Sequence, residues 1–313
     1  MDEVLMNVKS LYKRGGLRGL WHLGIYALQL LRKDYLHHPP LYAQIEVSRG
    51  CNLRCQVCGL SHYHVDTGNM SLGDFECILD QLDGVQEVML QGLGEPLLNP
   101  SFVRMVGAAK ARGLRVDTST NATLLTPETS TALIQAGLDV MSISIDGATA
   151  ETYESIRREA SFESVIDNVR HMAEIKKMQK VSHPQLNIGY ILTNQSYQEL
   201  PELLNLAHCI GIERVNVWQL QGGDTYEDIG SLSVEGCDRK SIYRVMREAR
   251  ELAADRRIHL TLPPLERVHN ASTCRWPWWG TYITWDGSVT PCCIQCYPEI
   301  YNLGNVYEEG MQK

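Results

Sequence analysis

The sequence contains no apolar run of membrane-spanning length and no signal peptide, so neither a membrane-spanning nor a secreted protein is expected, and a cytoplasmic location follows. It also lacks an excess of positive charge. Against 29 Lys and Arg stand 37 Asp and Glu, a formal net charge of −8, which argues against a general nucleic-acid binder. No segment repeats at a solenoid period, and none is of low complexity. What is present is ordinary for a globular protein. The 313 residues, 44% hydrophobic and 21% charged, suffice for one barrel-sized domain and a smaller module.

Cysteine is the exception, with ten residues, seven of them in two groups. Clustering of that kind suggests metal sites rather than a disulfide framework. The remaining three, Cys77, Cys209 and Cys237, are expected to be small buried apolar residues. In the first group, Cys51-Asn52-Leu53-Arg54-Cys55-Gln56-Val57-Cys58 places three thiols as C-x3-C-x2-C in one loop, where they can converge on one metal centre. Four Cys normally hold a [4Fe–4S] cluster, so three would leave one iron open to a ligand that is not protein. Zinc sites pair two C-x2-C knuckles, or Cys with distant His, and the x3 gap fits them poorly. Upstream, Leu41–Ser48 alternates like a half-buried strand that Arg49-Gly50 ends. The loop therefore sits at a strand's C-terminal end, where barrel enzymes place their chemistry.

The chain divides into a segment 1–40, an alternating region 41–222, a connecting helix and strand in 223–273, and a Cys-rich stretch 274–313. In the first, Leu17, Leu20, Trp21, Leu28 and Leu31 keep helical spacing, and six basic residues (Lys9, Lys13, Arg14, Arg18, Arg32, Lys33) face three acidic ones. Such a helix either packs on the barrel or makes weak contact with an anionic membrane surface. Strands are predicted at Leu41–Ser48, Glu87–Leu90, Arg115–Ser119, Val140–Ile145, Gln185–Leu192 and Arg214–Gln219. Helices are predicted near Ser71–Leu82, Pro100–Arg112, Pro127–Ala136, Phe162–Met178 and Gln198–Ile210, with Ser71, Thr126 and Ser161 as N-caps. Six strands separated by helices imply a parallel sheet. The fold class is thus α/β, a partial (β/α)6 TIM-like barrel, with a boundary at Gly222-Gly223-Asp224 and a small C-terminal Cys-rich β-hairpin module.

The C-x3-C-x2-C loop resembles that of the radical S-adenosylmethionine (SAM) superfamily, which holds a [4Fe–4S] cluster with SAM on the open iron. Other positions fit the resemblance. Gly92, Gly94 and Glu95, in Gln91-Gly92-Leu93-Gly94-Glu95-Pro96, are similar to the turn that holds SAM's amino group. Asn121, followed by Ala122 where relatives have Gly, resembles a turn lining the SAM pocket. Ser144 and Asp146, in Ser142-Ile143-Ser144-Ile145-Asp146-Gly147, are implied as contacts to SAM's ribose or carboxylate. Arg157 or Arg158 would pair with that carboxylate, and Asn194 would be a polar contact after the fifth strand. Cys274-x12-Gly287-x4-Cys292 resembles the SPASM/Twitch extensions, with Asp286-Gly287 as a hairpin turn and Cys293, Cys296 or both completing the ligands of an auxiliary [4Fe–4S] cluster. Zinc held by the same four thiolates is the alternative. The further Cys run of a complete SPASM signature is missing before Lys313, so the module is either Twitch-like with one extra cluster or truncated.

The resemblance implies an oxidoreductase that cleaves SAM to a 5′-deoxyadenosyl radical and abstracts hydrogen from an unreactive C–H bond. Its electron donor would be a flavodoxin or ferredoxin. The single-cluster pattern is similar to that of 2-deoxy-scyllo-inosamine dehydrogenase. With no separate leader-peptide-binding domain evident, a small or carbohydrate-like substrate is expected. A peptide or protein maturase and an enzyme acting on a lipid-linked substrate are the alternatives. From another class comes a non-catalytic zinc scaffold that binds a partner through Trp276, Trp278 and Trp279. No general base is identified; His62, Tyr63 and His64 follow the cluster loop as candidates.

Overall fold

The computed structural model describes residues 24, 40–220, 227–265, 274 and 276–311. The expected basic helix near the N-terminus, Gly24 apart, and the boundary at Gly222-Gly223-Asp224 lie outside the described residues.

Strands and helices alternate as the apolar periodicity requires. The order is β1 (Tyr42–Ile45), α1 (Leu72–Gln81), β2 (Glu87–Leu90), α2 (Phe102–Ala111), β3 (Arg115–Thr120), α3 (Pro127–Ala136) and β4 (Val140–Ser144). It continues with α4 (Ala150–Ile156), α5 (Phe162–Gln179), β5 (Gln185–Leu192), α6 (Leu200–Cys209) and β6 (Arg214–Gln219). After these come α7 (Arg239–Arg256), β7 (His259–Thr261), a one-turn helix Trp276–Trp279, β8 (Gly280–Ile283) and β9 (Val289–Thr290). Ser71, Thr126 and Ser161 cap their helices as predicted, each side chain accepting from the N–H three residues on.

Helix α4 was not legible in the sequence. Its seven residues are too few to show an apolar stripe, and it depends on caps: Thr149 accepts from Thr152 N–H, and the Glu199 carboxylate accepts from Ala148 N–H at 2.6 Å. A second difference concerns the isolated cysteines. Cys77 and Cys209, expected in the core, are exposed on α1 and α6, and Cys237 is half-buried.

The nine strands form one sheet in the order β7-β6-β5-β4-β3-β2-β1-β8-β9. Pairing is parallel from β7 through β8, and only β9 runs antiparallel, against β8. Consecutive parallel strands covered by helices give the partial barrel. Residues 186–190 of β5 are buried without a break, as in a strand covered on both faces. The connecting segment supplies β7 at one edge. The C-terminal hairpin joins the other edge, pairing Tyr42 with Gly280 and Ile45 with Ile283. No helix among the described residues is long and apolar enough to cross a membrane.

Candidate active site

A cavity of about 510 Å³ opens where β1 to β6 end. Cys51, Cys55 and Cys58 all line it. Their loop is held from behind by the C-terminal end of α4, whose carbonyls lack helical partners. Gln56 N–H donates to Ile156 C=O at 2.8 Å, and Arg54 N–H to Arg158 C=O at 3.2 Å. Burial pushes the three thiols up, Cys55 to about 12, while the Arg157 guanidinium opposes the rise at each.

The second wall is the turn after β2. A Cβ on Gly94 would stand 2.4 Å from Ser48 C=O, and one on Gly92 would stand 2.1 Å from Glu46 Cγ, so both positions require glycine. Glu95 is buried and lines the cavity. Its Oε1 accepts from Thr120 Oγ1 (2.6 Å) and Leu97 N–H (3.1 Å), and its Oε2 from Asn121 N–H (2.8 Å). A carboxylate offers about four acceptor sites, so one remains, on Oε2. Asn121 Nδ2 donates to Asn52 Oδ1 at 3.0 Å and lies 3.9 Å from Cys51 Sγ, which ties this turn to the cluster loop. Ala122 keeps the turn with φ +59 although it is not glycine; its N–H donates to Thr120 Oγ1, and its C=O accepts from Asn168 Nδ2 at 2.9 Å. Ser119 and Ser144 complete the polar wall from β3 and β4.

Two expected cofactor contacts lie elsewhere. Asp146 is fully buried and does not line the cavity: its Oδ1 accepts from Ile191 N–H (2.8 Å), and its Oδ2 pairs with Arg157 Nη2 (2.7 Å). It orients Arg157, whose Nη1 lies 4.0 Å from Cys55 Sγ and whose buried Nε has no hydrogen-bond partner among the described residues. Asn194 is exposed, its Nδ2 donating to Ser231 C=O at 2.9 Å, and does not reach the cavity. His62, Tyr63 and His64 do not line it either: His62 bonds Gln56 C=O, and Tyr63 packs edge-on to Tyr297.

Apolar side chains line the cavity as well: Leu93, Ile191, Trp218, Leu220, Ile229 and Ile294, with Gln219 between two of them. Trp218 and Ile294 are 50% and 43% exposed, so they make a rim rather than a core. The tight approach of the Trp218 ring to β5 is permitted by Gly189, where a Cβ would stand 2.9 Å from the indole. Neither residue carried a sequence motif that could have marked it.

The C-terminal hairpin turns at Asp286-Gly287, with Gly287 at φ +84, and delivers Cys292, Cys293 and Cys296 beyond β9. Cys293 lines the same cavity as Cys51, Cys55 and Cys58. Cys296 is buried with Tyr282 and Tyr297. Cys274 is exposed and near enough to Cys293, with Cys292, to raise its thiol pKa. Burial is the first cause of the rise at Cys293, to about 11, and at Cys296, to about 12. Among the described residues no three Cys, His, Asp or Glu converge on a point where one ion would sit. Three thiols facing one cavity fit the donor set of a [4Fe–4S] cluster with an open iron, and the C-terminal thiols fit that of an auxiliary cluster. Trp276, expected in a partner-binding surface, packs edge-on to Tyr42 at 5.7 Å.

Sequence reading also missed Glu46 and Arg49, a buried ion pair (Arg49 Nε to Glu46 Oε2, 2.8 Å) just ahead of the cluster loop. Two opposite charges three residues apart, just beyond the end of β1, were the available signal.

The model of the Radical SAM superfamily matches residues 45–207, and that of the SPASM iron–sulfur cluster-binding domain matches residues 274–313. Among curated proteins, the tungsten-containing aldehyde ferredoxin oxidoreductase cofactor-modifying protein of Pyrococcus furiosus is 27% identical over 86% of this chain and 79% of its own length. Mycofactocin maturase MftC of Mycobacterium tuberculosis is 31% identical over 55% of this chain, which spans 43% of that relative's length. Among solved structures, Streptococcus suis SuiB bound to S-adenosylmethionine superposes with a TM-score of 0.72 at 18% identity, over 94% of this chain and 69% of that one. SuiB is also known bound to its precursor peptide SuiA.

Proposed function

This chain belongs to the radical SAM superfamily and carries a SPASM module, and from that premise we propose that it is a maturase acting on a peptide or a comparably large organic substrate at the cavity mouth. The observation that carries this reading is the group of apolar side chains, half-exposed Trp218 and Ile294 among them, that line the cavity beside its polar residues. A cyclitol or sugar is fixed mainly through hydrogen bonds to its hydroxyls, whereas Trp218, Leu220, Ile229 and Ile294 offer apolar surface with Gln219 as the polar group among them. The maturase among the relatives supports the same reading over the small-molecule substrate expected from the sequence. A second reading, modification of a large cofactor, is favoured by the Pyrococcus relative, which matches over most of both chains.

When bound, the cluster and SAM supply one electron and a 5′-deoxyadenosyl radical that removes hydrogen from the substrate. Cys51, Cys55 and Cys58 would bind that cluster as thiolates, releasing their protons on ligation. Arg157, locked by Asp146, places a cation beside Cys55 and offsets the negative charge gathered there. Glu95, with one acceptor site left on its carboxylate, would hold SAM's ammonium, and Gly92 and Gly94 would let the backbone close in. Asn121 and Ser144 supply polar contacts on the same wall. The apolar rim excludes water from the reacting carbon. Cys274, Cys292, Cys293 and Cys296 would supply the ligands of the auxiliary cluster, and a flavodoxin or ferredoxin would be the fitting donor.

The test is anaerobic reduction of iron-loaded protein with dithionite and SAM, with chromatography for 5′-deoxyadenosine. Cleavage that disappears in Cys55→Ala supports the assignment of the loop, and cleavage that persists overturns it. Adding candidate peptides and cyclitols in parallel separates the substrates: product of altered mass only with a peptide supports the maturase, and product from a cyclitol overturns it.

A further inference from the structure

Strand pairing fixes β8 to β1, but it does not fix residues 291–299, which leave β9 carrying three cysteines. Arg49 reaches that loop. Its Nη2 donates to Cys296 C=O at 2.9 Å, its Nη1 lies 3.5 Å from Glu299 Oε1, and its Nε is held by Glu46 Oε2. Glu46 in turn gathers the surrounding elements. Its Oε1 accepts from Leu93 N–H in the Gly92–Gly94 turn at 2.8 Å, and Tyr282 Oη of β8 lies within 3.4 Å. Gly92 leaves room for this side chain and for nothing else. One buried pair thus contacts the barrel strand, the turn proposed for SAM, the hairpin and the C-terminal cysteine loop, two residues ahead of Cys51.

We propose that Glu46 and Arg49 are positioning residues that hold the C-terminal cysteine loop over the barrel cavity, so that Cys293 and Ile294 form part of the wall shared with Cys51, Cys55 and Cys58. The planar guanidinium is needed because it serves three acceptors in fixed directions, which a single ammonium cannot. The proposal rests on the chain's own contacts. It deepens the proposed function by assigning the pair to the join between the two cluster sites.

Two variants test it in the iron-loaded protein. Arg49→Lys keeps the charge beside Glu46 and loses the fork. Glu46→Leu with Arg49→Met removes the pair without leaving a lone buried charge, so the fold survives. Amide hydrogen exchange read by mass spectrometry is expected to rise about tenfold or more in peptides covering 292–299 of both variants, with β2 to β5 peptides unchanged. The electron paramagnetic resonance signal that does not respond to SAM is expected to shift as well. Unchanged exchange at 292–299 overturns the proposal, and so does a uniform rise across the barrel, which would mean that the pair only supports the fold. The exchange readout holds whether or not the enzyme cleaves SAM, so this idea and the maturase reading fail separately.

Discussion

At the scale of single residues, the site is built by close approach. Gly94 exists because Ser48 and Gly50 carbonyls occupy the space where a side chain would stand, the nearer at 2.4 Å. Gly94→Ala is therefore expected to cost about 2–3 kcal/mol, as overpacking against backbone that cannot yield. Gly107 is the contrast: it lies inside α2 with nothing within 4 Å of a built Cβ. Gly107→Ala is expected to stabilise by about 0.5–1 kcal/mol, because the unfolded chain loses freedom and nothing is displaced. Urea midpoints of the two variants, measured together, check the sign of both. If both move the same way, the crowding argument is wrong.

At the scale of elements, helix ends carry identifiable strain. Helix α5 ends on Lys180 at φ +55, and α7 on Arg257 at φ +57, both in the left-handed region where glycine is usual. Lys180 is exposed, so replacing it loses no packing. A non-glycine residue there is held at roughly 1–2 kcal/mol of steric cost, against about 0.5–1 kcal/mol of extra entropy for glycine in the unfolded chain. Lys180→Gly is expected to raise the melting temperature slightly, by the difference of about 0.5–1 kcal/mol. A lower melting temperature would show that the lysine has a compensating contact. The same attention to ends explains α4, whose caps compensate for its shortness and whose last carbonyl holds the cysteine loop.

At the scale of the whole molecule, the β1–β8 pairing brings Cys293 to the cavity lined by the first three cysteines, and the burial of thiols in both groups couples folding to pH. Without metal, burial pushes Cys55 and Cys296 up to about 12, above the ordinary thiol value. Between the ordinary value of about 8.5 and the raised one, the unfolded chain binds fewer protons than the folded chain, so stability falls as pH rises through that window. The cluster-free protein is expected to melt at progressively lower temperature from about pH 8.5 to about pH 11. The iron-loaded protein, with ligand thiols already deprotonated, is expected to lose less over the same range. Melting curves of both forms decide it: a flat or rising profile for the cluster-free chain would refute the burial argument.

The sequence by itself determined the alternation of strands and helices, because apolar periodicity and Ser or Thr caps act within a few residues. It also marked residues that line the cavity: the cysteine loop, Glu95, Asn121 and Ser144, at or just beyond strand ends in short motifs, and Arg157, which follows helix α4. Only the tertiary structure decided the rest. Asp146 turns away to Arg157 and Ile191, and Asn194 to the loop at Ser231, because side-chain direction past a strand's end depends on what packs there. The meeting of Arg49 with Cys296, and of Cys293 with the first three cysteines, depends on contacts across more than two hundred residues. No local pattern encodes such a contact, since it arises only when parallel pairing places β8 beside β1 and burial forces opposite charges together.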